Sequence, residues 1–597
     1  MKYFARRGFP YFEERIMSEK TMLSKHGSTE FRIVVARDAI PAERHAAEEL
    51  KRFLEEITGA DYPIYFDDEP SCETELLVGG SARVSELGCG IDIPSLGQEG
   101  FTIKTVGKRL VIAGGRPRGT LYGVYTFLEN YLGCRWFTKK VSRIPKRCCV
   151  ELPVIENDTQ VPKLEYRDPF CAGNMDSDWH VRNKSNSTML EVGDTHGYKM
   201  EYFPFVHTFD QLVPVAEYYD SHPEYFALVD GKRLKERTQL CLTNPEVLEI
   251  AIARVRQWLK EHPKAQIVSV SQNDCFDPCQ CDACKAIDER EGSHAGSLIE
   301  FVNKVAEAIE PDYPDVIIDT LAYTYTRKAP KYIRPRHNVA VRLCSIECCF
   351  AHPLSECDHV ASFASRSWAR DGFANDLKEW AKVCDRLHIW DYTTNFAHYL
   401  NPFPDFKVLA PNIRFFIENH VTGIFEEGNA CRGRNGELNE LRQYVEAKLL
   451  WDPELDTDTL VNEFISGVYG MAAAPMREYY DLMHAQVADK DVHMGIYDTP
   501  HSPYLSLDFI EKADRLFDRA EMLADDKNVL EEVRLARLSI RYLKLTHIPV
   551  EDPGRAALVE EFAEDLKKFG FTEIREGMPL EESIDILRRG ELKLVNT

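Results

Sequence analysis

The sequence predicts an α/β protein in three folded parts: a (β/α)8 TIM-type barrel over residues 157–455, a small α/β domain before it over 30–156, and a helical domain after it over 456–597, with 1–29 as an N-terminal extension. Three observations predict this. Short apolar runs that end in polar residues, each followed by a helical pattern, recur through the middle of the chain. About eight such runs between 164 and about 450 match the usual size of a closed barrel. Beyond Asp456 the strand-like runs stop and helical spacing takes over. A doubly wound open sheet is the competing architecture, because periodicity does not show closure.

The first domain opens with the β-like run Phe31-Arg32-Ile33-Val34-Val35-Ala36, then a helix introduced by Pro41, whose missing N–H costs nothing in a first turn. Ala46, Ala47, Leu50, Phe53, Leu54 and Ile57 share one helical face, and Gly59 is the expected stop. Leu76-Leu77-Val78, Phe101-Thr102-Ile103 and Leu110-Val111-Ile112-Ala113 read as further strands, with a second helix over 119–132. In the barrel region four strands are clear: Ile267 to Ser271, Val316 to Leu321, Val339 to Leu343 and Leu387 to Trp390. Leu164-Glu165-Tyr166-Arg167, Phe205-Val206-His207-Thr208, Gln239-Leu240-Cys241-Leu242 and Gly423-Ile424-Phe425 are the weaker candidates. Residues 460–468, 507–523 and 529–545 are spaced as helices.

Composition narrows the function classes. The 597 residues are 44% hydrophobic and 28% charged, enough apolar surface to bury a large core. Lys+Arg 73 against Asp+Glu 97 gives a net charge of −24, a field that repels nucleic acid and anionic membrane. Charges at Glu13, Glu14 and Arg15 interrupt the place where a secretory signal would be apolar, and no run is long enough to span a bilayer, so the expected compartment is the cytoplasm. The 17 cysteines then read as thiols or metal ligands rather than a disulfide framework. Nucleic acid and membrane are thus disfavoured as partners, and a neutral substrate, or one held by a local basic pocket, fits better; the oligomeric state stays open, a homodimer included.

In a barrel the working residues follow the C-terminal ends of the strands. That rule selects Asn273 and Asp274, Tyr323 and Tyr325, Glu347, Asp391 with Trp390 and Tyr392, and Glu426 or Glu427, with His207 and Arg167 as weaker members. Any one acid there can equally be a helix cap or an ion-pair partner. Several acids meeting several aromatic rings are the chemistry of sugar hydrolysis: one protonated carboxyl donates to the leaving oxygen, another carboxylate attacks or stabilises, and rings stack on the sugar. Because successive strand residues alternate faces, only one of Glu426 and Glu427 points inward; an outward Phe425 would select Glu426.

Cys275-x3-Cys279-x-Cys281-x2-Cys284 follows Asp274 directly, and thiolates so spaced can meet one tetrahedral zinc, with Cys344, Cys348, Cys349, Cys357 or His352 as further ligands. Such a zinc would be structural; no cofactor is expected for catalysis. Gly114-Gly115-Arg116-Pro117-Arg118-Gly119 lacks the phosphate-loop Lys, and no G-x-S-x-G elbow occurs.

The run Arg118-Gly119-Thr120-Leu121-Tyr122-Gly123-Val124-Tyr125, with Gly133-Cys134-Arg135-Trp136, resembles the small domain that precedes the barrel in α-glucuronidases and β-hexosaminidases. The blocks Ser269-Val270-Ser271-Gln272-Asn273-Asp274, Arg342-Leu343-Cys344-Ser345-Ile346-Glu347, Ile389-Trp390-Asp391-Tyr392-Thr393-Thr394-Asn395-Phe396 and Gly423-Ile424-Phe425-Glu426 resemble the bacterial family called domain of unknown function 4838, some of whose members are endo-β-N-acetylglucosaminidases. The resemblance implies a glycoside hydrolase of carbohydrate metabolism whose partner is an oligosaccharide or glycan containing an N-acetylhexosamine or a uronic acid, with the substrate's own acetamide oxygen available as nucleophile in the first case. With the residue reading it gives Glu347 as general acid, Asp391 or Glu426 as its partner and Asp274 as a supporting contact. Asn273, Tyr323, Tyr325, Trp390, Tyr392 and His207 would hold sugar, and a uronate would need Arg342 or Arg432. The alternative is a non-catalytic carbohydrate-binding or scaffold protein on the same barrel.

Overall fold

The computed structural model describes residues 21–361, 364, 372–433 and 436–591. The chain packs as two compact units, one of 1–134 with 144–161, the other of 135–143 with 162–597. In the first unit a mixed six-stranded sheet runs in the order Asp158–Gln160, Phe101–Val106, Arg109–Gly114, Glu75–Val78, Arg32–Val35, Ile64–Phe66. The helix Pro41–Thr58 starts where the Glu43 carboxylate accepts the Ile40 N–H at 3.1 Å and stops at Gly59, whose φ of 71° only glycine adopts without strain. Its apolar face at Ala46, Ala47, Leu50, Phe53, Leu54 and Ile57 is buried. A second helix spans Gly119–Asn130.

The second unit is built on a curled parallel sheet of β1 (Tyr166–Phe170), β2 (Ile267–Ser269), β3 (Ile317–Ala322), β4 (Val339–Cys344), β5 (Leu387–Tyr392) and β6 (Val421–Glu427). Hydrogen bonding runs β1-β6-β5-β4-β3-β2, every pair parallel. The first strand pairs with the last, as a barrel requires and as a doubly wound sheet, which places its early strands centrally, does not. Helices α1 (Pro245–Glu261), α2 (Asp282–Glu291), α3 (Ala295–Ile309), α4 (Phe373–Ala381), α5 (Phe406–Glu418) and α6 (Asn439–Trp451) connect or follow the strands. The weaker strand candidates resolve differently. The first becomes β1, starting at Tyr166. The segment 205–208 forms no ladder, and next to it Tyr202 makes a single parallel bridge to Ile267. The segment 239–242 is not a barrel strand: Leu240 forms an isolated antiparallel bridge with Phe226, and the Gln239 side chain bonds the loop after β2.

Strand parity fills the barrel interior. Tyr166, Tyr202, Phe205, Phe425 and Trp390 pack together, Phe425 edge-on to Trp390 at 4.8 Å. The Arg342 guanidinium, fully buried, lies over the rings of Tyr202 at 4.6 Å and Phe205 at 4.7 Å, with its Nε 4.0 Å from Asp319. Gly423 is required here, because a Cβ would come within 2.7 Å of the His388 ring. Past β6 the same unit continues in α7 (Thr457–Tyr469), α8 (Ala473–Ala485), α9 (Leu507–Leu523), α10 (Lys527–His547), α11 (Arg555–Lys568) and α12 (Leu580–Arg589). Among the described residues no helix is long and apolar enough to cross a membrane.

Candidate active site

At the C-terminal mouth of the strands lies a cavity of about 250 Å³, lined by His207, Asp274, Leu321, Tyr323, Cys344, Ile346, Trp390, Tyr392, Phe396, Glu427, Tyr497 and Glu576. Each strand from β2 to β6 supplies a residue at or just past its end. Glu427 closes β6 two residues after the inward Phe425 and so shares its face. Its Oε2 accepts the Trp390 Nε1–H at 2.7 Å. Burial pushes its carboxyl up to about 8, the charges of Glu576 and Asp274 adding to the effect and the indole hydrogen bond opposing it. Asp274, on the exposed loop after β2, accepts the Tyr323 hydroxyl at 3.1 Å. Glu576 reaches the rim from the segment between α11 and α12, its N–H bonded to the Phe396 carbonyl at 2.9 Å. Desolvation and the charges of Glu573 and Asp274 push its carboxyl up to about 7.

His207 has φ 53° and its Nδ1–H reaches the Gln272 carbonyl at 2.8 Å, which turns the ring toward Tyr323. Burial raises the hydroxyls of Tyr323, Tyr392 and Tyr497, so all three stay protonated as hydrogen-bond donors. Among the described residues lining the cavity there is no Lys or Arg.

The structure therefore brings together Asp274, Tyr323, Trp390, Tyr392 and His207, and displaces the other expected members. Glu347 is buried in an ion pair with Arg327, which also holds Asp376 at 2.8 Å; β4 ends at Cys344 and the turn at Ser345 carries Glu347 away from the mouth. Asp391 alternates with Trp390 and Tyr392, so it faces outward, where the Ser345 hydroxyl donates to it at 2.5 Å. Glu426 faces outward beside it in register; burial and the charges of Asp391, Glu446 and Asp405 raise its carboxyl well above the usual range. Phe425 points into the barrel, so parity selects Glu427. Arg342 belongs to the barrel core and does not reach the cavity. Asn273 is occupied by the Thr238 carbonyl and the Asp210 N–H. Tyr325 packs against His294, because the tight turn Thr324–Thr326 breaks the alternation that would have aligned it with Tyr323.

The cysteine cluster also changes membership. The thiols of Cys241, Cys279, Cys281 and Cys284 lie within 4.8 Å of one another, Cys241 and Cys281 3.6 Å apart. Cys275 is outside the group, its sulfur 3.2 Å from the Gln239 amide. The spacing reading missed Cys241 because it stands 38 residues before Cys279 in another loop. Tyr497 and Glu576 were invisible for a similar reason: they enter from the helical region, where no strand end marks them.

With this geometry, the fold and site define a parallel β/α barrel with a cavity at its C-terminal mouth, the place where barrels of this kind carry their chemistry. The family described as Domain of unknown function (DUF4838) matches residues 136–481, more than half of the chain, and the protein belongs to that family. Residues 16–127 match the family described as Glycosyl hydrolase family 67 N-terminus. No curated protein matches the chain. Among solved structures the chain is similar to a family GH115 4-O-methyl-α-glucuronidase, BtGH115A, with specificity for decorated arabinogalactans: 12% identity, 97% of this chain and 81% of that one covered, TM-score 0.55. It also aligns with the Streptomyces plicatus N-acetyl-β-hexosaminidase in complex with Thio-NAglucal, at 13% identity over 75% of this chain and 91% of that one, TM-score 0.40.

Proposed function

We propose that the cavity is the active site of a glycoside hydrolase acting on a neutral or N-acetylated hexose of an oligosaccharide or glycan, with Glu427 as general acid. The observation that supports this most is the Glu427 carboxyl itself: held up to about 8, it carries its proton at neutral pH and faces the same cavity as the solvent-exposed Asp274. Two carboxyl groups with different environments are what glycosidic cleavage needs. Glu427 donates its proton to the leaving oxygen while the glycosidic bond breaks. Asp274, steadied by Tyr323, is the partner that attacks the anomeric carbon, activates water or orients the substrate's acetamide. Trp390 and Tyr392 offer rings for the sugar face.

The ring of acids also bears on the substrate. Asp274, Glu427 and Glu576, with no Lys or Arg among the described lining residues, make a poor seat for a uronate carboxylate, which favours the N-acetylhexosamine branch over the uronic acid one. The Cys241, Cys279, Cys281 and Cys284 thiols suit a structural zinc that would tie down the loop carrying Asp274. The test is a screen of aryl glycosides and N-glycan fragments with the wild-type chain and Glu427→Gln. Turnover of an N-acetylhexosaminide that falls about 10²–10⁴-fold in the variant, with sugar binding retained, is the expected result. Equal rates in the two proteins would overturn the assignment; affinity without any turnover by either would favour a carbohydrate-binding protein.

A further inference from the structure

A second group of metal-ligating side chains stands apart from the four clustered thiols. Cys349, His352, Cys357 and His493 place one sulfur or ring nitrogen each within 4.8 Å of all the others. The Cys349 sulfur is 3.5 Å from His352 Nδ1, and the Cys357 sulfur is 3.7 Å from His493 Nδ1. Tetrahedral zinc with bonds of about 2.3 Å to sulfur and about 2.0 Å to nitrogen sets adjacent sulfur and nitrogen ligands about 3.6 Å apart. Both distances fall on that value. Two thiols and two imidazoles are a donor set suited to zinc and poorly suited to calcium or magnesium, which take oxygen.

The chain makes this cluster from two loops. Cys349, His352 and Cys357 follow β4, and His493 lies between α8 and α9. The loops already touch, the Phe350 N–H reaching the Met494 carbonyl at 2.9 Å. Each also delivers a residue to the cavity: Ile346 three positions before Cys349, and Tyr497 four positions after His493. We propose that Cys349, His352, Cys357 and His493 form a second, Cys2His2 structural zinc site that clips these two loops together beside the cavity. A crosslink at this place fixes the wall bearing Ile346 and Tyr497 without joining the chemistry, since all four protein ligands close the coordination sphere.

The experiment uses the full chain, stripped with a chelator, dialysed under reducing conditions and titrated with zinc alone against a chromophoric competitor, with bound metal counted by mass spectrometry. His493→Ala and Cys357→Ser should each bind one zinc fewer than the wild type, while Cys284→Ser, aimed at the four-thiol cluster, should retain this site. Chelation should lower the thermal midpoint of the wild type by more than that of His493→Ala. Cobalt added to stripped Cys284→Ser should give the visible bands of a tetrahedral ion with two thiolates, a readout that holds even if the other variants fold poorly. Unchanged zinc stoichiometry in both folded variants, absence of those cobalt bands, or a disulfide between Cys349 and Cys357 in the isolated protein would overturn the proposal. None of these readouts depends on hydrolytic activity.

Discussion

Phe425 decides which of two adjacent carboxyls faces the cavity. Its ring packs against Trp390 and Phe205 inside the barrel, so Glu427 follows it inward and Glu426 is sent toward the helices. The sequence could narrow the choice to this pair but not break the tie, because both faces of a parallel barrel strand are buried and hydropathy has no preferred side. The same rule separates Trp390 and Tyr392 from Asp391. Glu426→Gln should therefore leave turnover within a few-fold of wild type, while Glu427→Gln lowers it about 10²–10⁴-fold, compared by initial rates at saturating substrate. A general acid at Glu427, as proposed, acts protonated, so kcat/KM should fall as pH rises through about 8, and Glu427→Gln should lack that limb in a pH profile of any residual rate. Gly423→Ala drives a methyl to 2.7 Å from the His388 ring and should cost about 1–3 kcal/mol in denaturant unfolding.

The outward faces of β5 and β6, with α6 and the start of α5, form a buried acidic layer behind the cavity. Asp391, Asp405, Glu426, Glu437 and Glu446 meet there, with Arg442 bound to Asp405 at 3.0 Å and to Glu437 at 3.3 Å. Burial holds Asp391 and Asp405 up to about 6, Glu437 to about 7 and Glu446 to about 8. These folded-state values lie above those of the unfolded chain, about 4, so between the two the native state binds more protons and its stability falls as pH rises. Thermal unfolding should show the midpoint dropping from pH 6 to pH 9, and Glu446→Gln should flatten that slope. A midpoint that rises over this range would contradict the burial of these acids as neutral groups. At this scale the strong apolar runs became strands where expected, from Ile267, Ile317, Val339 and Leu387. The weak ones failed where tertiary contacts governed: 239–242 serves a side-chain contact with the loop after β2 and not a barrel ladder.

The whole chain carries an excess of acidic residues, and in the cavity three carboxyls gather with no Lys or Arg among the described lining residues. For the proposed function, that arrangement makes electrostatics set the preference: aryl N-acetylhexosaminides should be turned over well ahead of the matching aryl glucuronides, and Glu576→Gln should narrow the gap. The barrel and its helical continuation were legible because each rests on periodicity. Half of the cavity was legible too, since strand ends are marked in the sequence. Phe396, Tyr497 and Glu576 were not, because they come from loops whose path is fixed by packing between distant segments, such as the Phe396 bonds to Ile496 and Glu576. Side-by-side rates of hydrolysis by the wild type, Glu427→Gln and Glu426→Gln on one responsive aryl glycoside test the central claim most directly. The account predicts loss of activity in Glu427→Gln alone; full activity there with loss in Glu426→Gln would contradict it.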